Sequence, residues 1–464
     1  MPFHHSLVVL RRDLRLQDNL ALQAAIQQSQ HVSVAFVFDE RQIKDHPYRS
    51  NRGLAFMLNV LTDLHQELGD LNSGLTVLEG EPSEAIINHA LHHNIDALFI
   101  NHDYTPFARK RDEAITQNCK SRGINCQWFH DALLFPPEAI KNGSGKPYKV
   151  FSAFFKACAK QPVNIPQGYD LKCKLKPMTQ EVWQKHRLSI DKHMAPASDT
   201  YIGRDKAIAL LTSLNEQTDY AETRDIPALD ATTHLSVHLK FGTVSVREAY
   251  NFIFHTLGAD HPLLRQLSWR DFFYHIVYHS PHVFVHAFLP QFENIIWEND
   301  DDKFKAWCEG KTGFPIVDAG MRELANTGYM HNRVRMITAS FLVKDLHIDW
   351  RWGEAWFARH LLDYDPAINN GNWQWAASTG CDAQPWFRIF NPWRQQQRFD
   401  PKGEYIRRWL PNLTSASDKE LLQWHSLGDA ELHPLPIIDH AVESKYCKAI
   451  YKQAQAYFQG EAHV

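Results

Sequence analysis

The chain is poor in cysteine: seven in 464 residues (Cys119, Cys126, Cys158, Cys173, Cys308, Cys381 and Cys447), an odd count with no C-x-x-C spacing. That excludes a disulfide framework, a zinc site and an iron–sulfur cluster, so no metal is expected. A reducing, cytoplasmic compartment follows. Long apolar runs are also missing. None approaches the ~20 residues of a membrane span, so no membrane association is expected. The opening MPFHHSLVVLRRDLRL lacks a charged segment followed by a long apolar one, and reads as a first strand, not a signal peptide. Charge of one sign is absent too: the net charge is −4 with 27 His counted neutral. Any nucleic-acid contact must come from a local basic patch. No G-x-G-x-x-G follows the first strand, which excludes the dinucleotide fingerprint there. There is no internal repeat, no low-complexity tract and no long tail after the last helical pattern.

What is present is an ordinary globular composition, 44% apolar and 22% charged, in a chain long enough for two or three domains. In the first part, apolar strand-like runs at residues 7–10 (LVVL), 32–38 (VSVAFVF), 75–78 (LTVL), 97–100 (ALFI) and 126–129 (CQWF) alternate with helical patterns such as 53–68 and 83–93. Continuous apolar strands spaced by amphipathic helices predict a parallel, Rossmann-like five-stranded sheet covered on both faces. This α/β domain spans residues 1–130. Residues 131–195 carry the loop signals FPPEAIKNGSGKPYK and KLKPMTQ and read as a connector over the surface. From residue 196 to 464 strand signals vanish. Helical periodicities at 247–257, 263–277, 316–325 and 334–344 predict an all-α C-terminal domain. The 14 Trp exceed what packing normally requires, because an indole N–H also wants a partner.

Four stretches could carry chemistry. In RQLSWRDFFY, residues 265–274, Gln266, Trp269, Arg270 and Phe273 share one helical face. A purely core-facing helix would not normally carry a Gln and an Arg there. In residues 228–248, Thr232, Thr233 and Ser236 bunch at a helix start. Such hydroxyls with free backbone N–H groups can hold a phosphate, or simply form an N-cap ahead of a turn at Phe241-Gly242. In GYMHNRVRM, residues 328–336, Asn332, Arg335 and Met336 share a face, which could equally be a solvated one. In residues 361–380, Asp363 and Asp365 precede Asn369, Trp373 and Trp375. Paired carboxylates suit glycosidase chemistry. Asp followed by Pro366 also suits a helix start.

Together with KTGFPIVDAGMREL (311–324) and RRDLRLQDN (11–19), these stretches resemble the DNA photolyase/cryptochrome family, from about residue 6 to about residue 413 and in the family's order. The closest likeness is to bacterial enzymes that repair cyclobutane pyrimidine dimers. The resemblance implies an α/β antenna domain and an all-helical domain binding FAD, active in its reduced form. It implies flavin contacts at Tyr220, the stretch Thr232, Thr233, His234, Leu235 and Ser236, and at Arg270, Asn332, Arg335, Asp363, Tyr364, Asp365 and Asn369. An Arg335–Asp363 ion pair is expected, with Asn369 facing the reactive flavin nitrogen. Trp373, Trp350 and Trp297 resemble an electron-transfer chain. Trp269, Trp375, Met336, Asn332 and Gln266 would receive a flipped lesion. Arg224, Arg333 and Arg388 would touch phosphates of UV-damaged DNA. The implied protein is a monomer.

The chain departs from the pattern in two respects. Dimer-repairing members usually have Glu where this chain has Gln266; six-four photolyases and animal cryptochromes usually have Gln. Asn332, Met336, Trp269 and Trp375 follow the dimer pattern. A light-driven lyase is therefore expected, with a cryptochrome-type blue-light receptor or a six-four photolyase as alternatives. Second, Phe107, Ala108 and Val285 stand where side chains that hold a folate antenna would be. A deazaflavin or a flavin fits a second chromophore better than folate, with an empty antenna pocket as a further alternative.

Overall fold

Strands β1 (Phe3–Leu10), β2 (Ser29–Phe38), β3 (Leu75–Glu79), β4 (Ala97–Asn101) and β5 (Asn125–Phe129) form one parallel sheet in the order β3-β2-β1-β4-β5. The computed structural model describes residues 2–193 and 203–461. Val8, at the centre of β1, pairs with Val34 on one side and Phe99 on the other and is fully buried. Strands covered on both faces need such unbroken apolar runs, which is why β1, β2 and β4 were legible; β5, at the sheet edge, is only partly buried along its length. β1 and β2 begin earlier than their apolar runs. Their polar starts are held by ladder pairing, Phe3 with Ser29 and His5 with His31, so pairing and not burial sets those ends.

The connector is not merely a loop. It contains the helices Phe151–Cys158 and Gln180–Asp191. Between them, Val32 of β2 donates to the Lys174 carbonyl and accepts from the Lys176 amide. β3 pairs with β2 only from Val34 onward, so residues 174–176 fill the vacant edge at Val32. The sequence signal failed there because a single bridge needs no apolar run. Residues 194 and 195, the end of the predicted connector, lie outside the described residues.

Packing divides the chain into two compact units. The first comprises Met1–Tyr148, Ser152–Thr218 and Thr233–His279; the second comprises Lys149–Phe151, Asp219–Thr232 and Ser280–Val464. The predicted boundaries at 130 and 195 follow composition, whereas the units follow contact. Helices Ser236–Phe241, Val246–Leu257 and Pro262–His279 belong to the same compact unit as the sheet.

A buried charge cluster ties the start of the helix Val246–Leu257 to the segments that follow β1 and β5. Arg15 donates to Asp131 at 2.6 Å, and Arg247 donates to Asp131 at 2.7 Å and to Asp18 at 3.0 Å. Ser245 donates to Asp18 at 2.5 Å. All five side chains are buried. The RRDLRLQDN motif thus works largely as a clamp. Such a cluster is tolerable only because its charges are matched and hydrogen-bonded.

Past Ser280 no strand occurs among the described residues. Helices Asp301–Glu309, Pro315–Thr327, Asn332–Lys344, Trp350–His360 and Pro366–Ala376 enclose a core that includes Trp307, Phe357 and Trp373. Among the described residues no helix is long and apolar enough to cross a membrane.

Candidate functional site

In the first unit the helix Pro262–His279 is buried on nearly every side. From Leu263 to Val277 only Arg265, Gln266, Trp269 and Arg270 are not fully covered. The polar face of RQLSWRDFFY is therefore the uncovered stripe of an otherwise interior helix. Trp269 stacks on Phe273 at 5.7 Å and meets Phe272 edge-on at 5.7 Å, which limits its motion. Arg270 donates to the Ala132 carbonyl at 2.7 Å and pairs with Asp271 at 3.3 Å. Burial pushes the Asp271 carboxyl up to about 6, with Arg270 opposing.

The three-hydroxyl stretch crosses between the units, Thr232 belonging to the second and Thr233 to the first. The helix Ser236–Phe241 begins without a side-chain cap, and Gly242 ends it in the left-handed region at φ 69°. The turn at Phe241-Gly242 is present; the ordinary N-cap is not. Thr233 accepts from the Leu235 amide at 3.4 Å, and His234 holds a left-handed φ of 51°. Ser236 is exposed and Leu235 buried. The uncapped first turn leaves backbone donors for an anion.

In the second unit Arg335 grips Asp363 through both terminal nitrogens, at 3.2 and 3.0 Å, and donates from Nε to the Met330 carbonyl at 2.7 Å. Burial works against the Arg335 charge, but Asp363 more than restores it, and its pKa is raised. The Arg335 guanidinium lies 5.4 Å over the Tyr329 ring, whose hydroxyl is 3.3 Å from that of Thr232. Asp365 has another task. It caps the helix Pro366–Ala376, accepting from Ala367 at 3.0 Å and Ile368 at 3.2 Å. The two carboxylates are thus an ion-pair member and a helix cap, not an acid–base couple. Tyr364, between them, is half-buried.

Asn369 is buried and its Nδ2 donates to the Glu354 carbonyl at 3.1 Å. Its Oδ1 remains as the acceptor. Asn332 opens the helix Asn332–Lys344, capped by His331, and its Nδ2 lies 3.8 Å from the Met336 sulfur. Burial lowers the His331 pKa to about 4, so a neutral ring can accept from the Arg333 amide.

Arg224 and Arg333 share one carboxylate, Asp225, at 4.0 and 2.9 Å. Arg224 also lies 5.5 Å over the ring of buried Tyr220, whose hydroxyl pKa is raised by burial. Arg388 is exposed. Trp375 is half-buried on the helix that carries Trp373. Trp373 and Trp350 are buried and Trp297 partly so. The sequence reading missed Tyr329 and Asp225. Both adjoin residues it did single out, but neither falls on the helical spacing it followed.

Phe107 is exposed with Arg41 5.0 Å over its ring, Ala108 is buried, and Val285 is exposed. None can bond a pterin through its side chain. A cavity at the carboxyl ends of β1 and β4, where the strand order reverses, is lined by Arg11, Arg15, Asn101, Asp103 and Lys240.

Comparison with known proteins finds the FAD binding domain of DNA photolyase over residues 263–453 and a DNA photolyase domain over residues 6–169. The deoxyribodipyrimidine photo-lyase of Vibrio cholerae is 36% identical over 472 residues, covering 97% of this chain and 99% of that protein. Among solved structures, an archaeal photolyase from Sulfolobus tokodaii with two FAD molecules matches with a TM-score of 0.88 and 38% identity, over 97% of this chain and 100% of that one. A Synechocystis cryptochrome matches with a TM-score of 0.85 and 26% identity, over 97% of this chain and 99% of that one.

Proposed function

The chain belongs to the DNA photolyase family, and from that premise we propose that it is a light-driven deoxyribodipyrimidine photo-lyase that repairs cyclobutane pyrimidine dimers in UV-damaged DNA. The carrying observation is the 36% identity, over 97% of the chain, to a protein of that activity. The donor set suits FAD. The uncapped start of Ser236–Phe241 and the hydroxyls of Thr232, Thr233 and Ser236 match a pyrophosphate. Tyr220, His234, Leu235, Arg270, Asn332, Tyr364 and Asp365 complete the proposed contacts, with the Arg335–Asp363 pair presenting fixed charges to the ring system. Asn369, with Nδ2 committed to Glu354, offers Oδ1 to a donor, and a reduced flavin carries an N–H that an oxidised one lacks. FAD, when bound, supplies the light-absorbing centre and the transferable electron; the protein supplies position and electrostatics.

On the DNA side, Trp269 and Trp375 are the proposed walls for the flipped lesion. Met336, Asn332 and Gln266 add a soft contact and amides that donate and accept. Stacking contributes roughly 1–3 kcal/mol per base, comparable with the cost of unstacking a damaged step. Arg224, Arg333 and Arg388 would take phosphates, the first two aligned beforehand by Asp225. Trp373, Trp350 and Trp297 would return electrons from the surface. The antenna is proposed to be a flavin or deazaflavin held by the α/β domain of residues 1–130, with the all-helical domain of 196–464 catalytic. We place the enzyme in the cytoplasm as a monomer.

The test is irradiation of the chemically reduced protein with thymine-dimer DNA. Dimers should disappear with light and persist in the dark. Undiminished dimers despite bound reduced FAD would refute the proposal, and a parallel substrate with six-four lesions reads out the alternative that Gln266 favours. A cryptochrome-type receptor would repair neither.

A further inference from the structure

We propose that Trp307 is a second electron relay leaving Trp373, so that the route to the surface branches toward Trp352 and Trp356. This rests on the reading of Trp373 as the indole that donates to the light-excited flavin. The Trp307 and Trp373 rings lie 6.2 Å apart at 72°. Phe357 packs on both, 4.9 Å from Trp373 and 5.9 Å from Trp307 in a 12° stack. Trp373 cannot drift from this contact. A Cβ built at Gly353 would stand 2.1 Å from its ring, so the indole rests directly on the helix backbone. Beyond Trp307, Phe304 stacks at 5.9 Å and touches the rings of Trp352 at 5.1 Å and Trp356 at 6.2 Å. Both of those indoles are half-buried.

The chemistry of each site suits its place. Trp307 is fully buried, and its indole N–H donates to the Thr338 carbonyl at 3.1 Å. A carbonyl is a weak base, so an oxidised Trp307 keeps its proton and can pass the hole on. At Trp352 or Trp356 water can take the proton, which traps the hole as a neutral indolyl radical. In balance, one electron moves from Trp352 or Trp356 through Trp307 to oxidised Trp373, and one proton leaves to water. An external thiol later returns the electron, with a proton, to the surface indole.

Electrostatics favour this branch. Trp307 sits in the last turn of the helix Asp301–Glu309, at the negative end of its dipole, which stabilises a cation. Trp350 is the first residue of its helix, at the positive end. The Arg351 guanidinium lies 4.7 Å over its ring, a contact that favours the neutral indole and opposes an oxidised one. Asp349 and Glu293 pair with Arg351 and temper that effect without removing it.

The experiment compares holoprotein with oxidised FAD in wild type, Trp350→Phe, Trp307→Phe, the double variant and Trp373→Phe. Flash absorption follows the indole radical, and peptide mass spectrometry maps oxygenated Trp after illumination in air. Trp350→Phe should retain a long-lived indole radical, and the double variant should lose it. Oxygenation at Trp352 or Trp356 should occur in wild type and vanish in Trp307→Phe. A double variant indistinguishable from Trp350→Phe, or no oxygenation at either surface indole, overturns the branch. Because Trp307 is a core residue, Trp352→Phe/Trp356→Phe at the half-buried end gives a second route to the same decision: an unchanged radical in the Trp350→Phe background rejects the branch. Full radical formation in Trp373→Phe would instead overturn the parent reading of Trp373.

Discussion

Arg335 and Asp363 form a two-pronged ion pair, and the guanidinium Nε–H is committed to the Met330 carbonyl. Three contacts in the guanidinium plane fix its orientation. Asp363→Asn keeps the shape and removes the charge. The variant should purify with much less flavin per protein, read from the visible flavin absorbance, and should lose up to about 3 kcal/mol of stability as a charge loses its partner. Full flavin content would count against a cofactor role for the pair.

Trp373→Phe removes the oxidisable ring and keeps the packing on Gly353 and Phe357. Photoreduction of oxidised FAD should fail, while repair by chemically reduced protein persists. Loss of both would show that the two roles are not separate.

Gln266 lies on the uncovered stripe of its helix with Trp269. An amide can donate and accept but cannot supply a proton. Gln266→Glu should raise dimer repair per absorbed photon with little change in DNA affinity. An equal or lower yield rejects this account of the residue.

Asp131 is the shared acceptor of Arg15 and Arg247. Asp131→Ala would leave two buried guanidinium groups under-compensated, at a cost of about 3–5 kcal/mol. Chemical denaturation of the first unit's transition should report it. A smaller loss would mean that water replaces the carboxylate.

Buried imidazoles make stability depend on pH. Burial lowers the pKa of His5, His238, His275 and His331 from 6.5 to about 4. Above pH 6.5 each is neutral in both folded and unfolded chains. Between 6.5 and about 4 the unfolded chain binds protons that the folded one refuses. Stability should therefore fall as pH drops through that window, by at most about 1.4 kcal/mol per pH unit for each ring. Urea midpoints at pH 7, 6 and 5 (roughly, spanning the window) would check it.

The sheet was legible because the second halves of β1 and β2, and nearly all of β4, are buried and almost wholly apolar. The bridge at residues 174–176 was not, because one ladder step at Val32 leaves no periodic trace. At the site, helical spacing found Asn332, Arg335 and Met336. It could not find Tyr329 or Asp225, which act through a loop and a short turn. The alternatives for Asp363 and Asp365 were separable only in three dimensions: one carboxylate faces a guanidinium and the other faces two backbone amides.

The charge cluster also says where this protein can be cut. Arg15, Asp18 and Asp131 come from the first 131 residues, whereas Ser245 and Arg247 come from more than a hundred residues later. A fragment ending at residue 195 would look like a whole α/β domain by its composition. It would nevertheless carry Asp18 without either of those later partners, and Asp131 with one of its two guanidinium donors gone. The sheet is thus not a detachable module. Its interior is finished by chain that has already visited the second unit and come back, so a soluble excised version must run through His279.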